Sequence, residues 1–228
     1  MEIKDYLLQK GEYYTDIVDK TMIFIHHTAG SHRPDFTIDG WERDASKSGG
    51  QLAVATAYVI GGISTTDRST LFDGKVYKAF DDKYWAHHLG MTSANNKELN
   101  MKSIGIEVCN YGPITKTKDG TFLNYVNKAV PADMVTELAE PFRGFKYYQK
   151  YTPKQLEVLG LLLKDIAQRH NIDLNKGLKS VMNLGAKGFE TNLDAQAGKE
   201  GLWSHSSVRK DKFDMFPQPE LINLIKSL

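Results

Sequence analysis

One cysteine, Cys109, stands in a chain of 228 residues, so no internal disulfide can staple it. The fold must rest on a packed core, with or without a metal. Charge of either sign is equally scarce in excess. Lys and Arg total 29 against 28 Asp and Glu, a net charge of +1. No global field draws such a chain to nucleic acid or anionic lipid, and neither is expected as a partner. No apolar run approaches the roughly 20 residues of a membrane span, which argues against membrane insertion. The opening Met1-Glu2-Ile3-Lys4-Asp5-Tyr6 mixes charges with single apolar residues and leads into no apolar stretch of signal-peptide length. Internal repeats and low-complexity tracts are also missing.

What is present is the composition of a globular protein, 41% hydrophobic and 25% charged. The length allows one large domain or two small ones. No convincing boundary divides it, so a single monomeric domain is expected. Residues 1–20 read as a lead-in. Thr21-Met22-Ile23-Phe24-Ile25 is a short β-prone apolar run, read as a buried central strand that ends at His26-His27. A helix is expected over about 38–48 and a strand over Val54–Ile60. Asp73-Gly74 between two β-prone runs predicts a hairpin of Ser69–Phe72 with Lys75–Phe80. Ser103–Cys109 reads as another inner strand. Residues 111–150 carry Pro113, Gly120, Pro131, Pro141 and Gly144 without clear periodicity, and are read as an insertion with little regular structure. Thr152-Pro153-Lys154-Gln155 has the form of a capping box with proline at the first helical position. Leu156, Leu159, Leu163, Ile166 and Ala167 then make one apolar stripe. Residues 175–204 read as irregular, and a last helix is expected over Pro219–Lys226. Strands mixed with helices predict an α/β domain with a central mixed sheet flanked by helices.

Potential metal ligands stand at three places: His26 at the end of a buried strand, then His205 and Asp214, nine positions apart with Lys212 between them. Two imidazoles and a carboxylate suit a catalytic zinc ion and leave a fourth position open. Spacing alone does not decide this, since a histidine at a strand end can equally be a satisfied polar residue.

The surrounding motifs add to it. Ile23-Phe24-Ile25-His26-His27-Thr28-Ala29-Gly30 resembles the first zinc-ligand motif of the N-acetylmuramoyl-L-alanine amidase family, the group that includes phage lysozyme-type amidases, bacterial amidases and peptidoglycan recognition proteins. Trp85-Ala86-His87-His88-Leu89-Gly90 is similar to the family's Trp-His-Ala-Gly segment. Ser103-Ile104-Gly105-Ile106-Glu107 is similar to its strand ending in a catalytic carboxylate. His205 to Asp214 resembles the terminal motif, in which a His ligand is followed by a Lys, one residue, and a Cys or Asp ligand. The four motifs run in order through residues 23 to 217. Departures are Ser204-His205-Ser206-Ser207 where the family often has Gly-His-Arg-Asp, and Met215-Phe216-Pro217 where Pro-Gly often follows the last ligand. Ala57 precedes Tyr58 where a His is common, and the tyrosine used by some members would fall near Thr56.

The resemblance implies one Zn2+ held by His26, His205 and Asp214, an amidase-like fold, and hydrolysis of the bond between N-acetylmuramic acid and L-alanine in peptidoglycan. Lys212, two residues before a ligand, could stabilise an oxyanion. Glu107 ends an apolar strand, where an unpaired carboxylate is costly. It could exchange protons with the attacking water and the leaving amine, or form a structural ion pair. His88, Tyr58 and Trp85 are candidate substrate contacts, the two aromatics as groove wall or core rather than catalysts. His27, on the other strand face, and Cys109 are read as packing residues. A non-catalytic peptidoglycan-binding module and a zinc peptidase acting on stem peptides stay open as alternatives. The layout suits a phage endolysin released during lysis, or a bacterial wall-lytic enzyme exported by another route.

Overall fold

A computed structural model describes residues 1–44, 50 and 52–228. Its frame is a six-stranded mixed sheet. In chain order the strands are β1 (Ile3–Asp5), β2 (Met22–His27), β3 (Tyr58–Ile60), β4 (Val76–Lys78), β5 (Ser103–Val108) and β10 (Gly201–Ser204), arranged in space as β1-β4-β3-β5-β2-β10. The central strands β3, β5, β2 and β10 run parallel, and only β4 opposes its neighbour β3. Parallel strands need both faces covered, which explains why every residue of β2 is buried.

Alternation along β2 sorts its side chains between two cores. Ile23 and Ile25 face the larger core, beneath helix α3 (Pro153–His170), whose Leu159, Leu162, Leu163 and Ile166 are fully buried. Burying each such side chain contributes roughly 1.5–3 kcal/mol. Met22 and Phe24 face a smaller core with Trp203 and with Leu99 of helix α2 (Asn96–Lys102). Helix α3 starts at the expected capping box, with Thr152 accepting from the Gln155 N–H and the Gln155 side chain accepting from the Thr152 N–H. The remaining helices are α1 (Pro34–Glu42), α4 (Leu178–Val181), α5 (Leu193–Gln196) and α6 (Pro219–Ser227).

Several local expectations change. Residues 111–150 are not irregular: β6 (Pro113–Lys116), β7 (Phe122–Leu123), β8 (Val135–Phe142) and β9 (Phe145–Gln149) form a second, largely antiparallel sheet in the order β7-β6-β9-β8. Its hairpin turns on Arg143-Gly144, both at positive φ (51° and 85°), as a two-residue turn with left-handed central residues demands. A stack of Tyr148, Phe216 and Tyr151, with ring centres 4.3 and 4.5 Å apart, seats this sheet against the segment after Asp214. The hairpin expected at Asp73-Gly74 is a turn without a first strand, because β4 finds its partners in β3 and β1 instead. The strand expected from Val54 begins only at Tyr58, and Val54 makes a single bridge to His87. The first helix lies earlier than expected, starting at Pro34, and the end of its expected range, 45–48, lies outside the described residues. The irregular region 175–204 contains α4, α5, a 3-10 segment and β10.

Candidate functional site

Sheet register assembles the site. His26 pairs with Glu107 across β2 and β5, and Ser204 pairs with Ile25 across β10 and β2, which brings His205 level with His26. Three parallel strands thus deliver Glu107, His26 and His205 side by side at their carboxyl ends, the edge where open α/β sheets hold ligands. Asp214 reaches the same point from the loop that follows. That loop is closed by the Ser206 N–H donating to the Asp214 carbonyl (2.7 Å) and gripped by Arg143, which donates to the carbonyls of Lys210 (2.7 Å) and Ser206 (3.2 Å). The second sheet therefore braces the loop between two site residues.

His26, His205 and Asp214 are all buried, and their ligand-type atoms lie within 4.8 Å of one another. Asp214 Oδ2 is 3.3 Å from His26 Nδ1 and 3.0 Å from His205 Nδ1. Ligands about 2.0–2.1 Å from a tetrahedral zinc stand about 3.3 Å apart, so the spacing suits one ion. The hydrogen-bond chemistry points the same way. His205 Nε2 meets the Leu89 carbonyl at 2.9 Å, and a carbonyl only accepts. The hydrogen is therefore on Nε2, which leaves Nδ1, 3.0 Å from Asp214 Oδ2, as the nitrogen that can ligate.

Electrostatics agree. Burial pushes the Asp214 carboxyl up, but the neighbouring His205 and His26 outweigh it and hold it well below its ordinary range, as a carboxylate. Burial and the charge of His205 lower His26 to about 4, which keeps it neutral and able to ligate near pH 7. Glu107 moves the other way: burial and then the Asp214 carboxylate raise it well above the ordinary value, opposed by Lys212. Its Oε2 is buried without a hydrogen-bond partner among the described residues.

These groups line a cleft of about 520 Å3. Lys212 and His88 are in its lining. So are Trp41, Thr56 and His87 from the main domain, and Tyr111, Tyr125 and Phe145 from the second sheet and its approaches. Tyr125 is 61% exposed, yet its hydroxyl donates to the Ala29 carbonyl at 2.6 Å, which ties the insertion to the loop after β2. Gly105 lies beneath the floor, where a Cβ would stand 2.6 Å from Thr56 Cγ2 and 3.1 Å from His88 Nδ1.

Against this profile, a model of the N-acetylmuramoyl-L-alanine amidase family matches residues 17–212. The chain belongs to that family. The match takes in His26, Glu107, His205 and Lys212 and stops two residues before Asp214. No curated protein shows significant sequence similarity to this amidase-family chain. Among solved structures it resembles a mutant form of PlyL (TM-score 0.51, 11% identity, covering 100% of each chain) and the PlyG catalytic domain (TM-score 0.51, 12% identity, covering 100% of this chain and 94% of that one). At such identities the likeness speaks for the fold, which is the mixed α/β architecture expected.

Two expected substrate contacts lie elsewhere. Tyr58 is buried under α3, its hydroxyl donating to Asp82 (2.8 Å) and accepting from Arg169 (3.2 Å), because β3 is an inner strand and that side chain faces the larger core. Trp85 is 2% exposed, stacked on Tyr14 at 4.1 Å with its N–H toward Asp16. His27 faces away from His26, toward the Tyr151 hydroxyl at 2.8 Å. Cys109 is buried, its thiol pushed upward by burial. Sequence reasoning missed His87, Tyr111, Tyr125 and Phe145 as cleft residues. His87 lies inside the Trp85–Gly90 motif beside the residue singled out there, and the trace left by Tyr111, Tyr125 and Phe145 is aromatic residues in a segment otherwise rich in turns.

Proposed function

We propose that this chain is a zinc-dependent N-acetylmuramoyl-L-alanine amidase, cutting the lactyl amide between N-acetylmuramic acid and L-alanine in peptidoglycan as an endolysin or another wall-lytic enzyme. The convergence of His26 Nδ1, His205 Nδ1 and Asp214 Oδ2 on one point carries the reading. These three side chains would hold the ion. Bound there, zinc would supply a Lewis acid that polarises the amide carbonyl and lowers the pKa of water toward about 7.

The protein's own groups supply the rest. Glu107, which lines the cleft beside His26, takes the proton of the water that attacks the carbonyl carbon. As the C–N bond breaks, the same carboxyl hands that proton to the departing alanine nitrogen. The Lys212 ammonium lies in the same lining and stabilises the negative charge that develops on the carbonyl oxygen. The aromatic wall of Tyr111, Tyr125 and Phe145 gives the muropeptide an apolar surface, and its polar groups meet Thr56, His87 and Lys212.

Digestion of purified peptidoglycan followed by product masses tests this. Free stem peptides beginning with L-alanine, formed with zinc and not with a chelator, are expected. Fragments cut between amino acids would make the chain a stem-peptide peptidase. Binding to the wall without release would make it a recognition module.

A further inference from the structure

We propose that Asn100, a residue outside the cleft, is a positioning residue for both metal-ligating histidines. It acts through the backbone of residues 88–89. The inference rests on the zinc reading above.

Neither His26 nor His205 is oriented by its own strand alone. The second nitrogen of each ring is held from one short segment. His26 Nε2 lies 3.0 Å from His88 Nδ1, and His205 Nε2 donates to the Leu89 carbonyl at 2.9 Å. When His26 turns its Nδ1 lone pair to the ion, its Nε2 carries the hydrogen. His88 then accepts at Nδ1 and donates from Nε2 to Ser103 Oγ, 2.9 Å away. Consecutive residues thus set the tautomer and the angle of both rings.

That segment belongs to no helix or strand. Its position comes from α2. Asn100 Oδ1 accepts from the N–H of His88 (2.7 Å) and of Leu89 (3.1 Å), while its Nδ2 donates to the Asn96 carbonyl (2.6 Å). Backbone N–H groups only donate, so the amide orientation is settled by its partners. Asn96, one turn earlier on the same helix face, accepts from the Met91 N–H at 2.9 Å. Asn100 is 0% exposed and both its polar atoms are used. A polar side chain buried that completely in a small apolar core beside Leu99 needs a function or a strict set of partners. Here it fixes the 88–91 backbone on which two ring orientations depend. Partners of this kind tune a metal site strongly, and losing one typically costs 10–100-fold in metal affinity.

The test measures zinc affinity by chelator competition on the full chain, together with the visible spectrum of the Co2+-substituted protein and the ring 15N shifts of the histidines. Asn100→Ala is expected to weaken zinc 10–100-fold, to change the cobalt spectrum, and to mix the His205 tautomers. Asn100→Asp should restore affinity to within a few-fold. Its carboxyl, buried against the Asn96 carbonyl, keeps a proton and so both accepts and donates as the amide does. Asn96→Ala, at a partly exposed site, should give a smaller loss with the fold intact, and carries the same test if Asn100→Ala does not fold. Wild-type affinity and an unchanged cobalt spectrum in the folded alanine variants would overturn the positioning role and leave the zinc reading standing. A wild-type protein that binds no zinc overturns both.

Discussion

Replacing Glu107 by Gln removes a proton-exchanging group while keeping its size, and the site allows its two consequences to be separated. The first is kinetic. A positioned general acid–base contributes about 10²–10⁴-fold, which at about 1.36 kcal/mol per decade is roughly 2.7–5.4 kcal/mol of barrier. The second concerns stability. Burial and Asp214 raise the Glu107 carboxyl in the folded chain, so ionising it at neutral pH costs more there than in the unfolded chain. Glu107→Gln abolishes that cost but introduces amide donors where Oε2 already lacked a partner. The two effects oppose, and stability should change by no more than about 1 kcal/mol. Release of stem peptides followed by mass, alongside thermal unfolding and zinc content, gives the three readouts. The expected pattern is activity down 10²–10⁴-fold, midpoint nearly unchanged, zinc retained. The pH profile adds a sign. The base works only when deprotonated, so wild-type kcat/KM should fall as pH drops through a midpoint above the ordinary 4.5 of a glutamate, and this limb should vanish in the residual activity of the variant. A variant within tenfold of wild type, or one that loses zinc, would refute the assignment.

Zinc at 100 times its Kd should stabilise the fold by about 2.7 kcal/mol, raising Tm by roughly 5–11 °C in a chain of this size, reversed by chelator. No shift in differential scanning calorimetry would count against the metal centre. Gly105→Ala places a methyl 2.6 Å from Thr56 Cγ2 and against His88; overpacking of about 1–3 kcal/mol is expected in chemical denaturation. Tyr125→Phe removes the hydrogen bond to Ala29 at a largely exposed ring. The loss of about 0.5–1.5 kcal/mol of tethering should raise KM on wall fragments while leaving kcat near wild type, as steady-state kinetics would show.

The site residues differed in how much the linear chain disclosed. His26 stood out because a β-prone apolar run ends on it, and the capping box at Thr152 located α3 to the residue, since both signals are local. The β8–β9 hairpin was within reach too: Arg143-Gly144 separates two β-prone runs, and the prolines at 131 and 141 masked it. β10 was invisible, since Gly-Leu-Trp-Ser is too short for a period to register. Tyr58 and Trp85 sat in suggestive places along the chain, but strand depth and stacking on Tyr14 sent them into packing.

Chain order and capping chemistry were enough to read a mixed α/β domain, and four ordered motifs were enough to mark its resemblance to the amidase family, with His26, His205 and Asp214 as the metal ligands that resemblance implies. Folding alone decided that Nδ1 of each histidine faces the carboxylate, that Glu107 stands next to His26, and that Asn100 governs the segment behind both rings. Those relations depend on register between strands some 80 to 180 residues apart in sequence and on hydrogen bonds whose direction is known only once donor meets acceptor. No pattern within one segment encodes an angle between two others.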